Sequence, residues 1–113
     1  VDVEYMRRII DADQIAAQNF APEEYAAYKN APENLRRQAF FNGWTRKEAY
    51  IKARGDGLAL PLDDFAVTLL PGDPPQLVRA EGDDPARWAM HAELLSPHYV
   101  IAVMVERKPK TLF

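Results

Sequence analysis

The most informative segment of this chain reads Phe40-Phe41-Asn42-Gly43-Trp44-Thr45-Arg46-Lys47-Glu48-Ala49-Tyr50-Ile51-Lys52-Ala53-Arg54-Gly55-Asp56-Gly57-Leu58. Apolar and aromatic residues recur through it at helical spacing, and two glycines then interrupt the pattern. We therefore predict a long helix over about residues 32–53, ended by the Gly55-Asp56-Gly57 turn. Because Glu48 and Lys52 are four residues apart, they share one face of this helix.

The chain opens with an alternation of apolar and acidic residues, Val1-Asp2-Val3-Glu4. In a strand, this alternation places Val1 and Val3 on one face and Asp2 and Glu4 on the other. A start inside a strand-like segment, without methionine, favours a fragment of a longer polypeptide.

The remaining patterns predict an α+β domain. Short helices are expected over 14–19, capped by Asp11 or Asp13, and over 22–30, with Pro22 in the first turn. Strands separated by turns rich in proline and glycine are predicted over 65–70, 77–79, 87–95 and 99–106. We expect one domain over residues 1–113, in which an antiparallel sheet packs against a helical block that contains the long helix.

Composition excludes several classes of protein. The 113 residues are 48% hydrophobic and 27% charged, which suits one globular domain. No apolar run approaches the roughly 20 residues that span a bilayer. The absence of cysteine excludes disulfides and thiolate metal sites, and two histidines are too few for a multi-histidine zinc site. These features, without a signal-peptide pattern, are consistent with a cytoplasmic protein.

Charge is distributed unevenly along the chain. The formal net charge of −3 argues against a general nucleic-acid-binding protein. Residues 35–54 nevertheless hold six basic residues and one acidic residue, a local charge of +5. Such a basic segment on an acidic protein predicts an anionic ligand or an acidic partner.

Asp2, Glu4 and Glu48 are candidates for a site that binds a hard divalent cation. The three carboxylates converge if the long helix packs across the first strand, and Mg²⁺ is favoured because carboxylates are few. Lys52 can then balance the charge of a phosphate. A simpler interpretation is also open, in which Glu48 and Lys52 form a surface pair worth about 0.2–0.5 kcal/mol. In that case Asp2 and Glu4 line the solvent-facing side of an edge strand, and spacing alone favours this interpretation.

Other conspicuous side chains are interpreted as structural. Phe40, Phe41 and Trp44 are expected in the core rather than as a stacking platform. His91 and His98 lack a sequence-local partner, so we expect them to be structural or exposed.

Four segments together resemble the 4′-phosphopantetheinyl transferase superfamily in its Sfp-like (surfactin-synthetase-activating) form. They are Val1-Asp2-Val3-Glu4, the run from Phe41 to Ala53, Gly55-Asp56-Gly57-Leu58 and Pro61-Leu62-Asp63-Asp64-Phe65. The resemblance runs from Val1 to about Glu106. It implies a holo-[acyl-carrier-protein] synthase type of enzyme. Such an enzyme transfers 4′-phosphopantetheine from coenzyme A to a serine of an apo acyl or peptidyl carrier protein, and releases 3′,5′-ADP.

The resemblance also implies roles for individual residues. Asp2, Glu4 and Glu48 would ligate Mg²⁺, with Mn²⁺ as an alternative ion. Glu48 would also help to deprotonate the attacking serine, directly or through a water. Lys52 would contact the phosphate of coenzyme A, and Lys47 matches the motif as a second cofactor-binding lysine. Carriers served by such enzymes belong to fatty acid, polyketide or nonribosomal peptide biosynthesis.

Sfp-like enzymes consist of two similar halves, and this chain resembles the C-terminal half. We therefore expect a missing N-terminal half, or self-association, to complete the active site, and little activity from the chain alone. One alternative is a non-catalytic half-domain that self-associates or binds a carrier protein. Another is an unrelated metal-dependent phosphoryl-transfer or hydrolase domain. No role with nucleic acid or membrane is expected.

Overall fold

The long helix predicted from the sequence is present, and the rest of the chain packs around it. The computed structural model describes residues 1–55 and 60–107. In chain order the elements are strand β1 (Asp2–Tyr5), helices α1 (Ala12–Asn19), α2 (Pro22–Asn30) and α3 (Glu33–Arg54), and strands β2 (Phe65–Val67), β3 (Leu77–Ala80), β4 (Trp88–Ser96) and β5 (Tyr99–Glu106). Single 3₁₀ turns at Leu62–Asp64 and Pro85–Arg87 precede β2 and β4. The predicted α+β class is confirmed.

Helix α3 ends at Gly55, as its sequence predicts. Gly55 adopts a left-handed conformation, with φ of 65°, and its N–H donates to the carbonyl of Ile51. Only glycine takes this conformation without a steric penalty, which explains the stop. Asp56 and Gly57, the rest of the predicted turn, lie outside the described residues.

The capping prediction for the first helix is confirmed in the position of Asp11 but not in its side-chain hydrogen bond. Asp11 occupies the N-cap position of α1, but its side chain makes no capping hydrogen bond. Asp13 instead accepts a hydrogen bond of 2.6 Å from the hydroxyl of Tyr28, which joins α1 to α2. The Asp13 carboxylate, which was a candidate for the cap, therefore forms a tertiary hydrogen bond with Tyr28 instead. Pro22 does occupy the first turn of α2.

The strands form two antiparallel sheets rather than the single antiparallel sheet that was expected. The larger sheet has the order β1-β5-β4, and β2 pairs with β3 in a separate two-stranded sheet. The strand predicted over residues 65–70 ends at Val67. Leu69 leaves the ladder because its side chain is buried and its carbonyl accepts a hydrogen bond of 3.0 Å from Asn42 on α3.

Helix α3 contributes to two hydrophobic clusters. The first lies where α3 meets α1 and α2, and its buried aromatic residues are Phe20, Tyr28, Phe40 and Phe41. The second lies between α3 and the sheets and includes Tyr50, Phe65, Trp88 and Met104. The core placement predicted for Phe40 and Phe41 is confirmed. None of the helices in the described residues is long and apolar enough to cross a membrane.

Candidate functional site

Strand β1 turns its acidic side inward and its valines outward. It is an edge strand, yet the side chain of Asp2 is only 6% exposed and Glu4 is half-buried. Val1 and Val3, on the opposite face, are 63% and 49% exposed. The interpretation of Asp2 and Glu4 as a solvent-facing surface was therefore wrong, because these carboxylates face α3.

Asp2 forms an ion pair with Lys52 of α3. The Lys52 ammonium donates to Oδ1 of Asp2 at 2.7 Å, and the Lys52 side chain remains 53% exposed. This hydrogen bond raises the pKa of Lys52 above its ordinary value. The other carboxylate oxygen, Oδ2 of Asp2, is buried and has no hydrogen-bond partner. A buried oxygen without a donor indicates an incompletely compensated negative group.

Glu4 and Glu48 add negative charge beside this pair. Burial of Glu4, followed by the neighbouring charge of Asp2, raises the pKa of Glu4, and the charge of Glu48 acts in the same direction. Arg7 opposes this shift. Within residues 1–55 and 60–107, however, no three His, Asp or Glu side chains are arranged so that they could hold a metal ion. The structure therefore brings Asp2, Glu4 and Lys52 together beside Glu48, but these residues do not form a complete set of metal ligands.

Lys47 does not join this cluster. Its ammonium donates to Oε1 of Glu24 at 2.6 Å and to the carbonyl of Phe65, and the Lys47 side chain is 1% exposed. It also lies 4.0 Å from the centre of the Phe65 ring. Lys47 therefore serves a structural contact between α3, α2 and β2, and the cofactor-binding role predicted for it has no support in this geometry.

The partner of Lys47 was missed in the sequence. Glu24 follows Pro22 in the first turn of α2, where acidic residues commonly interact with the helix dipole. In the structure it is 1% exposed and also accepts from the N–H groups of Ala21 and Val67, at 2.8 and 2.7 Å. A lysine on the apolar side of α3 was the only sequence signal that a buried acidic partner was needed.

A small cavity lies next to Glu4, and a basic groove shares Arg7, Phe40 and Phe41 with that cavity. The cavity, of about 110 Å³, is lined by Glu4 and by apolar residues that include Trp44, which stacks on Phe40 with ring centres 6.3 Å apart. The groove, of about 210 Å³, contains four arginines, namely Arg7, Arg8, Arg36 and Arg37.

The basic segment over residues 35–54 is not one exposed surface. Arg46 and Lys47 are buried, and Arg46 donates to the carbonyl of Thr68 at 2.8 Å. Of the predicted basic segment, Arg36 and Arg37 line the groove, where Arg7 and Arg8 join them, and Lys52 lies at the site itself. His91 and His98 are both exposed, in agreement with their predicted non-catalytic placement.

The fold and this cluster define an α+β domain whose long helix presents a lysine beside carboxylates, an arrangement suited to phosphate-containing ligands. The chain belongs to the 4′-phosphopantetheinyl transferase superfamily, since the family model of that description matches residues 1–104.

Curated relatives agree with this assignment. The chain is 39% identical over 80 residues to the 4′-phosphopantetheinyl transferase HetI of Nostoc sp. (strain PCC 7120), covering 71% of this chain and 33% of the relative. It is 35% identical over 69 residues to 4′-phosphopantetheinyl transferase Sfp of Bacillus subtilis, covering 61% and 30%. It is 31% identical over 109 residues to 4′-phosphopantetheinyl transferase psf-1 of Bacillus pumilus, covering 96% and 45%. The chain thus spans less than half the length of these relatives.

Proposed function

We propose that this chain is the C-terminal half of a cytoplasmic 4′-phosphopantetheinyl transferase. The complete enzyme moves 4′-phosphopantetheine from coenzyme A to a serine of an apo acyl or peptidyl carrier protein and releases 3′,5′-ADP. The observation that carries this proposal is the buried Asp2 carboxylate, which lies beside Glu4 and Lys52 where β1 packs on α3. Membership of the superfamily supports the type of reaction.

The donor atoms of the cluster suit a hard divalent cation in their chemistry, although in the described residues they are not arranged as a three-residue metal site. Asp2 offers a buried oxygen without a partner, and burial, followed by the neighbouring charge of Asp2, raises the pKa of Glu4. All donors are carboxylate oxygens, which Mg²⁺ and Mn²⁺ accept. Asp2, Glu4 and Glu48 would hold the ion, which when bound would neutralise negative charge on the pyrophosphate of coenzyme A.

Two residues of α3 would act in the transfer itself. Glu48 takes the proton of the carrier serine, directly or through a water, so that the serine oxygen can attack the β-phosphorus of coenzyme A. A new bond forms between that oxygen and phosphorus, while the bond from phosphorus to 3′,5′-ADP breaks. Lys52 donates to the phosphate oxygens and offsets their developing charge. Lys47 holds α3 in place through Glu24 rather than contacting the ligand.

The arginine groove supplies a surface for the carrier protein. Arg7 and Arg8 lie two and three residues after the end of β1, and Arg36 and Arg37 of α3 line the same groove. Four cations next to the candidate site would attract an acidic carrier and orient its serine. Such complementarity acts mainly on the rate of encounter and on specificity.

The outer face of the larger sheet supports the alternative of a self-associating half-domain. On the side away from α3, this face exposes apolar side chains, with Val3, Tyr5, Tyr99 and Val105 each about half-exposed, at 49%, 49%, 45% and 50%. A patch of this kind normally marks an interface. We propose that the missing half of the enzyme covers it, and that a second copy of this chain does so when that half is absent.

The test is the intact mass of an apo carrier protein after incubation with coenzyme A, Mg²⁺ and either this chain or the chain joined to an N-terminal half. A Mg²⁺-dependent gain of one phosphopantetheine group is expected for the joined protein. Glu48→Gln should abolish it, whereas Glu33→Gln, an exposed carboxylate on the same helix, should not. No gain with the joined protein, or full transfer by Glu48→Gln, would refute the proposal.

A further inference from the structure

Lys52 already holds the carboxylate that a divalent cation would need. We propose that the Lys52 ammonium and the metal ion compete for Asp2, so that metal binding releases Lys52 to the phosphate. This inference rests on the proposed function, because it concerns the same carboxylates. It adds an exchange of cations that links the binding of metal and coenzyme A.

The contact of Lys52 with Asp2 is short and lies at the centre of the cluster. It joins Nζ to Oδ1 at 2.7 Å, and the Asp2 side chain is 6% exposed. A divalent ion on this carboxylate would lie within a few ångströms of the ammonium. Two cations at such a distance repel strongly in a partly buried site. Asp2 therefore cannot bind the metal ion and the Lys52 ammonium at full strength at the same time.

Of the two residues, Lys52 is the one that can move. Asp2 lies in a strand and is paired with Ala102 of β5, and its side chain is almost completely buried. The Lys52 side chain is 53% exposed and has several rotatable bonds. Displacement would therefore swing the ammonium toward solvent, on the face of α3 that also carries Glu48.

A released Lys52 would remain close to the site. Glu4 and Glu48 both act electrostatically on its ammonium, as Asp2 does. The ammonium is then available to phosphate oxygens, which it cannot contact fully while it is bonded to Asp2. Metal binding would thus favour coenzyme A, and coenzyme A would favour metal by the same factor, because coupling between two ligands is reciprocal.

The test is the affinity of the chain for Mn²⁺, measured by electron paramagnetic resonance, in the wild type and three variants. Lys52→Met removes the competing cation and should strengthen Mn²⁺ binding by about three- to tenfold, the range expected for a half-exposed charged hydrogen bond. Arg7→Met is the matched control, because Arg7 acts electrostatically on Glu4. It should strengthen binding clearly less. Asp2→Asn should weaken it.

The side-chain ammonium resonance of Lys52 provides a second measurement that does not depend on affinity. It can be assigned by its loss in Lys52→Met, and it should shift when Mg²⁺ is added. The resonance of Lys29, which pairs with Asp13, should not shift.

The outcomes separate this inference from the proposed function. Unchanged Mn²⁺ affinity in Lys52→Met, an equal gain in Arg7→Met, or an unmoved Lys52 resonance at saturating Mg²⁺ would overturn the competition alone. Wild-type affinity in Asp2→Asn would refute the proposed metal site. If Mn²⁺ bound neither the wild type nor Lys52→Met, both proposals would fail.

Discussion

Removal of either partner from the buried pair between Glu24 and Lys47 should destabilise the fold severely. Glu24 accepts hydrogen bonds from Ala21, Lys47 and Val67 at 2.8, 2.6 and 2.7 Å, and both charged side chains are at most 1% exposed. Glu24→Ala would leave a buried ammonium unpaired and the Val67 N–H without its acceptor.

The magnitude follows from these lost contacts. Breaking a buried ion pair by removing one partner costs about 3–5 kcal/mol, and an unsatisfied buried N–H adds about 1–3 kcal/mol. A domain of this size has a free energy of unfolding of about 5–15 kcal/mol. We therefore expect Glu24→Ala to lie close to the limit of folding. Lys47→Met, which leaves Glu24 two backbone donors, should cost about 2–4 kcal/mol.

Urea denaturation monitored by circular dichroism would measure these effects. The series should contain Glu24→Ala, Glu24→Gln, Lys47→Met and the double variant of Glu24→Gln with Lys47→Met. Glu33→Gln, which changes an exposed carboxylate on α3, is the control. Because the two side chains contact each other, the double variant should cost less than the sum of the single variants, by about 1 kcal/mol or more. The reasoning is refuted if each single variant costs less than about 1 kcal/mol, or if the two costs are additive.

Two further predictions concern the surface of α2 and the packing of α3. The hydrogen bond from Arg79 lowers the pKa of Glu23 from 4.5 to about 2, so this contact stabilises the fold above about pH 4.5 and is lost as the pH falls towards 2. Glu23→Gln should therefore lose less stability than the wild type as the pH falls from about 4.5 towards 2. If the urea midpoints of the variant and the wild type fell equally steeply with pH, the assignment would be contradicted. A Cβ atom on Gly43 would lie 3.1 Å from Phe20 and 3.2 Å from Leu69, so Gly43→Val should lower the free energy of unfolding by about 1–3 kcal/mol. A thermal midpoint of Gly43→Val equal to that of the wild type would contradict this prediction, because it would show that Phe20 and Leu69 move aside at little cost in free energy.

The elements with strong local signals were predictable. The long helix was expected over residues 32–53 and is observed as Glu33–Arg54, because its apolar spacing and its terminal glycine act within a few residues. The strand expected over residues 65–70 ends three residues early, at Val67. There the local pattern is apolar, but the position of Leu69 depends on Asn42, which is distant in the sequence.

The candidate site was predictable in part. The alternation in β1 assigns Asp2 and Glu4 to one face, and the four-residue spacing assigns Glu48 and Lys52 to one side of α3. Neither pattern indicates which face is turned inward. That depended on the pairing of β1 with β5 and on the packing of α3 against both strands.

The sequence by itself determined the fold class, the long helix and its end, and which charged residues match the motifs of the family. Only the tertiary structure decided how the two lysines of α3 differ. Lys47 and Lys52 are five residues apart, so they point to different sides of the helix. Packing buries Lys47 against Glu24 of α2 and leaves Lys52 half-exposed against Asp2 of β1. Those partners are 23 and 50 residues away along the chain, and no local spacing specifies such contacts.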